Sequence, residues 1–261
     1  MKWLRRIGKP AGLALALPLI VLWLAPATWL DAALRESSRG ALGLGDAQGR
    51  LWNGSGTLQA LLPRGEAVTL AVLRWTWHLS LPASARFAVI SASTGAPLLD
   101  ISAYPGGWTL TSAHLELPAA LLGSASPTLR DADLGGHLTL KANDLGRHGE
   151  RFSGRAEILW QGASSSLAGN QPLGNYRIHL DAAGAALAAH IDSPGQPALA
   201  LAGQGQWQPS QAPRLDLTAT PAEARRQALE PLLRLIGRET QPGVYRLQLD
   251  GRLSAAPGNP P

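Results

Sequence analysis

The chain has 261 residues and a mass of 27.4 kDa, enough for one large domain or two small ones. Only 16% of residues are charged while 29 are Gly and 20 are Pro, a balance that favours strands and turns and excludes an all-α bundle. Cysteine is absent, which excludes disulfide scaffolds, thiol catalysis and cysteine-ligated zinc. The net charge of +5 and the pI near 10.2 resemble a nucleic-acid signature until the charges are located. Four of the 23 basic residues, Lys2, Arg5, Arg6 and Lys9, precede the first apolar run, and the rest nearly balance the 18 acidic residues. No basic cluster follows, so no surface gathers the charge that phosphate binding needs, and nucleic acid is excluded as a partner.

Residues 1–9 form the basic segment. Pro10–Leu30 then carries no charged residue, and about 21 helical residues rise roughly 31 Å, the thickness of a bilayer's hydrocarbon core. Trp23 and Trp29 lie toward its far end, where indole rings favour the interface, and Pro18 would kink the helix. Positive charge before the segment predicts a cytoplasmic N-terminus, a single membrane pass and a periplasmic or extracytoplasmic body. The competing reading is a cleaved signal peptide, because Ala25-Pro26-Ala27 satisfies the small-residue requirement. The apolar run continues through Trp29 and Leu30 into a helix-like DAALRESSRGAL, so 31–48 is expected to be a periplasmic linker helix.

After residue 45 the dominant period is two. In the segment 74–81, Trp75, Trp77, Leu79 and Leu81 alternate with Arg74, Thr76, His78 and Ser80, which predicts a half-buried strand. The same alternation recurs at 152–158, 176–180, 199–207 and 245–250, separated by turn chemistry such as STGAP, YPGG and DSPGQP. The expected body is mainly β: ten to twelve antiparallel strands in a curved sheet, each covered on one face. Two helical breaks interrupt it. The first spans 118–122; the second spans 221–236, with Thr220 and Glu223 as a capping box, Pro221 at the first helical position, Gly237 at the close and Pro231 as a break or kink.

The breaks predict two repeated β-rich units, 49–123 and 124–253, each closed by a short helix, with 254–261 a disordered tail. Gly49-Arg50-Leu51-Trp52-Asn53-Gly54 and Gly154-Arg155 leading to Trp160-Gln161-Gly162 share G-R, a Trp, then x-G. Duplication places Trp52 with Trp160 and Gly54 with Gly162 in equivalent positions, and favours one continuous sheet; chance similarity of Gly-rich strands is the alternative. The Trp-x-Gly boxes read first as core architecture, a large ring with the chain turning beneath it, and second as a partner-binding aromatic.

The uncharged N-terminal segment, the GRLWNGSGTL box at 49–58, the second Trp-x-Gly at 160–162, GNYRIHLDAAG at 174–184 and EPLLRLIGRETQPGVYRLQLDGRL at 230–253 together resemble the protein N family of the bacterial type II secretion system. The resemblance spans about residues 10–253 and rests on the order and spacing of the boxes. It implies an inner-membrane accessory protein of the general secretion pathway with a periplasmic β-rich domain and other secretion subunits as partners. It implies no catalytic residue.

The search for chemistry points the same way. No pair of the six histidines has the spacing of a helical metal site, and Asp131-Ala132-Asp133 is followed by Gly135 and Gly136 where calcium ligands should alternate. Gly43 to Gly49 lacks dinucleotide spacing, Gly54-Ser55-Gly56 lacks the preceding Gly of a nucleophile elbow, and Asp100 and Glu116 are isolated in sequence. The expectation is a non-enzymatic protein with no cofactor and no metal: a structural or accessory secretion subunit, or alternatively a periplasmic lipid-handling or lipid-sensing protein. An apolar groove open to solvent would favour lipid; a filled core with exposed edge strands would favour protein partners.

Overall fold

A computed structural model describes residues 21, 23–62, 65–80, 83–124, 127–208 and 211–250. Lys2, Arg5, Arg6 and Lys9, the greater part of the predicted span Pro10–Leu30, Leu81 and the tail 254–261 lie outside these residues. No helix among the described residues is long and apolar enough to cross a membrane.

Fourteen antiparallel strands form a single sheet. They are β1 (Leu42–Arg50), β2 (Asn53–Leu61), β3 (Ala67–Ser80), β4 (Ser84–Ser91), β5 (Pro97–Tyr104), β6 (Gly107–Pro118), β7 (Leu134–His148), β8 (Arg151–Ser165), β9 (Pro172–Gly184), β10 (Ala186–Asp192), β11 (Leu199–Trp207), β12 (Arg214–Pro221), β13 (Arg238–Gln241) and β14 (Val244–Asp250). Each strand pairs with the next in sequence until β12, which pairs with β14 and leaves β13 at the edge. Short turns between period-two strands make this meander the local solution, because each hairpin closes with little loop entropy. β6 and β7, on either side of the boundary at 123–124, pair directly, so one continuous sheet carries both expected units, the arrangement favoured from the sequence.

The boundary near residue 30 differs from expectation. Ala25–Ala27 is a strap on the first hairpin: Leu51 N–H donates to Ala25 O at 2.8 Å, Ala27 N–H donates to Gly49 O at 3.3 Å, and Pro26 bridges Arg50. Helix α1 (Thr28–Ser37) starts after this strap, so Trp29 and Leu30 belong to a helix lying on the sheet. The expected linker 31–48 is the rest of α1 followed by β1. Asp31 sews the helix to that edge strand: its carboxylate accepts Leu44 N–H at 2.6 Å and Arg35 Nε–H at 2.9 Å. Burial pushes the Asp31 carboxyl upward, but the Leu44 and Arg35 bonds outweigh it and hold the group below the ordinary aspartate value.

The helical breaks also shift. The first is a 3-10 turn at Ala119–Ser124 followed by the short helix α2 (Pro127–Asp131). In the second, Thr220 and Pro221 close β12, Glu223–Arg225 is a 3-10 turn, and helix α3 (Arg226–Ile236) begins later with no side-chain cap. The expected capping box is therefore absorbed by strand pairing with β11. Helix α3 runs through Pro231, and its lost backbone bond is offset by burying Leu229, Leu232 and Leu233 at i, i+3, i+4 against Tyr176, Leu199, Ala219 and Tyr245.

Candidate functional site: the apolar face of the sheet

Directly opposed residues in antiparallel strands share a face, so the register decides which side chains meet. One rank runs Gly54, Trp75, Val89, Leu99, Ala113, Ala142, Ala156, Leu180, Ala189, Gly205, Leu215, each paired with the next from β2 to β12. The neighbouring rank runs Leu115, Leu140, Ile158, Ile178, Ile191, Gly203, Leu217, Leu247. The middle of this face is thus apolar, with no polar side chain in either rank.

Cover on this face is uneven. Helix α1 closes one side, where Ala27, Leu44, Trp75 and Val89 form a buried cluster with Leu30 and Leu34. Helix α3 closes the other side, at the end of the sheet where β12 leads into it. Between them the buried Ala113, Ala142 and Ala156 form a third cluster, with Leu99, Leu110, Leu145 and Leu180 packed against it. Large residues there, including Leu115, Leu140, Ile158 and Ile178, are only half-buried. The rings of Phe152 and Trp207 meet at 5.4 Å although β9 and β10 separate their strands, a spacing of roughly 14 Å along a flat sheet. The sheet bends toward its apolar face, as expected of a curved sheet.

The opposite face is charged. Arg86 donates from Nε to Asp100 at 2.9 Å, and Arg246 donates from Nε to Asp216 at 2.7 Å. The guanidinium beside Asp100 holds that carboxyl below the ordinary value, so Asp100 is not isolated as its sequence position suggested. Glu157 lies 3.4 Å from Arg177 and 4.0 Å from His179, and His179 is paired directly with His190. His114 approaches Glu116 at 3.6 Å. Among the described residues no group of three or more such side chains could hold a metal ion.

The Trp-x-Gly residues do not occupy equivalent places. Trp52 sits in the β1–β2 turn, its ring edge-on to Trp77 at 6.4 Å. Gly54 leaves room for the Trp75 ring: a Cβ there would lie 2.5 Å from Trp75 Cζ2. Trp160 lies inside β8 and donates from Nε1 to Gly135 O at 2.9 Å, while its ring meets Tyr176 at 5.7 Å. Gly162 takes φ +60° in a bulge of β8, with its N–H donating to Asn175 Oδ1 at 2.9 Å. These roles differ, so the shared G-R and W-x-G spacing reflects no common position in the register. Of the four tryptophans expected to matter by alternation or motif, Trp75 is the one wholly enclosed, at 1% exposure; Leu79 on the same strand is 66% exposed.

Sequence reading missed the continuity of the apolar ranks. Its only trace was the alternation in each strand taken singly, which carries no information on register. No curated protein and no solved structure matches this chain. The family described as Type II secretion system (T2SS), protein N matches residues 40–248, from the edge of β1 nearly to the end of β14, as the boxes resembling that family led one to expect. The chain belongs to the type II secretion system protein N family.

Proposed function

We propose that this protein is a non-enzymatic accessory subunit of the secretion system, held in the inner membrane by Pro10–Leu24, about 22 Å as a helix and so spanning with local bilayer thinning and snorkelling of Lys9, with its sheet in the periplasm. Family membership supports the secretion role and an envelope location. The observation that carries the topology is the strap. Ala25 and Ala27 are each 1% exposed, and the strap bonds the last residues of the uncharged segment to the first hairpin. A mature chain cut near Thr28 would lose those contacts, which favours an uncleaved anchor over a signal peptide. The groups brought together on the charged face are solvent-facing ion pairs, an arrangement suited to surface and partner contacts.

Two experiments test this. Isolation of the tagged full chain from membranes of its own cells, solubilised in mild detergent, should recover other secretion subunits above a mock purification; recovery of none refutes the subunit role. Protease should reach the sheet in spheroplasts but not in intact cells. A soluble periplasmic form beginning near Thr28 would overturn the anchor.

A further inference from the structure

The two edges of the sheet are guarded. The strap 25–27 and the Asp31 carboxylate occupy backbone groups of β1, and β13 is four exposed residues including Arg238 and Glu239. Strand addition by a protein partner therefore has little edge to use. The apolar face offers much more, and its opening has a definite place. The turns 50–53, 104–107, 148–151 and 184–186, with the ends of β3 at Ser80 and β4 at Ser84, all lie at one end of the sheet. At that end a shallow, open groove of about 530 Å³ is lined by Leu79, Ser80, Ala83, Ser84, Ala85, Ala103 and Tyr104.

Three observations select the occupant. The chain enters the sheet at this same end, through the strap against Arg50, and the residues just before and after the strap are exposed apolar ones: Trp23 at 67%, Leu24 at 56% and Trp29 at 48%. Ahead of them, residues 10–20 carry no charge. The turns and strand ends here also hold Arg50, Arg147, Arg151 and Arg214 against Glu150 and Asp250, an excess suited to anionic headgroups. The opposite end mixes Glu66, Asp131, Asp133, Asp192, Glu223 and Glu239 with Arg130, Arg225, Arg226 and Arg238.

We propose that the apolar face is a lipid trough, taking the acyl chain of a membrane phospholipid through the opening at Leu79 and Ala103. The chain lies along the half-buried Leu115, Leu140, Ile158 and Ile178 between α1 and α3. Entry from the bilayer rests on the reading that Pro10–Leu24 sits in it, whereas the trough itself does not.

The test uses the full chain in vesicles of phosphatidylethanolamine and phosphatidylglycerol containing a phospholipid with a photoreactive group at its acyl terminus. After irradiation, labelled peptides are mapped, and carbonate extraction of the same vesicles reports anchorage. Label on β3–β8 peptides is expected, with the chain resistant to extraction. Leu79→Glu and Ala103→Trp should each lower the sheet label about tenfold, since one places a carboxylate in the mouth and the other fills it. Val72→Glu, at a residue 46% exposed on the opposite face of β3, should leave it unchanged. Label confined to Pro10–Leu24 in a resistant chain overturns the trough and keeps the anchor. Extraction with sheet label retained overturns the anchor and keeps the trough; extraction with all label lost overturns both. Undiminished label in both mouth variants overturns the assigned opening.

Discussion

Replacing Trp75 by Ala should be among the costliest single changes in the chain. The indole is 1% exposed, wedged against Gly54, and surrounded by Ala27, Leu44 and Val89. Its Nε1–H is shared between Arg50 O at 3.3 Å and Leu51 O at 3.1 Å, fixing the first turn beneath the strap. Truncating a buried aromatic costs about 3–5 kcal/mol when the cavity cannot collapse, and here a hairpin, a helix and a neighbouring strand all hold it open. Urea unfolding of the full chain in mild detergent, followed by far-UV circular dichroism, reads this cost. With a slope of about 2–3 kcal/mol per molar for a chain of this size, the midpoint should fall by about 1–2 M. Trp75→Phe keeps part of the ring but loses the hydrogen bond, and should fall between. His78→Ala, exposed on the opposite face of the same strand, should cost under about 0.5 kcal/mol. The alternation alone does not separate Trp77 from Trp75, but the Trp77 ring is only half-buried and should cost less. Equal midpoints for the Trp75→Ala and His78→Ala variants would refute the assignment of faces.

Leu233→Ala, at a residue 0% exposed in the seam between α3 and the sheet, should cost about 2–5 kcal/mol in the same assay, against almost nothing for exposed Arg234→Ala. Tyr176→Phe removes the bond from the buried hydroxyl to Leu199 O at 2.8 Å and should cost about 1–3 kcal/mol by leaving that carbonyl short of a partner; an unchanged midpoint would mean that water or another donor replaces it. Asp31→Asn should cost about 1–2 kcal/mol at neutral pH. Because the folded carboxyl titrates below its ordinary value of 3.8, its contribution is present above about pH 4 and lost as pH falls through the folded value. Urea midpoints of wild type and variant should therefore converge in acid, and a gap that persists there would contradict the linkage.

Class and period were legible in the sequence. The alternation at 74–80 and 176–180 identifies half-buried strands because side-chain direction in a strand is a local property of the backbone. The uncharged run from Pro10 and the secretion-family boxes were likewise local facts. What residues 25–30 do was not: their composition suits a membrane helix, and only the hairpin at Arg50 offers the backbone groups that hold Ala25–Ala27 as a strap. Thr220, Pro221 and Glu223 spell a helix start, yet β11 claims the first two for pairing, since long-range hydrogen bonds outbid a local cap. The same holds for Asp100, isolated in sequence and joined to Arg86 fourteen residues away by the β4–β5 register. The apolar face is the largest case. Each strand shows its own alternation, but whether Ala113, Ala142 and Ala156 line up with Val89 and Leu180 depends on turn lengths and bulges at every hairpin between them. A slip of one residue at any pair would turn the following strands over and break the trough.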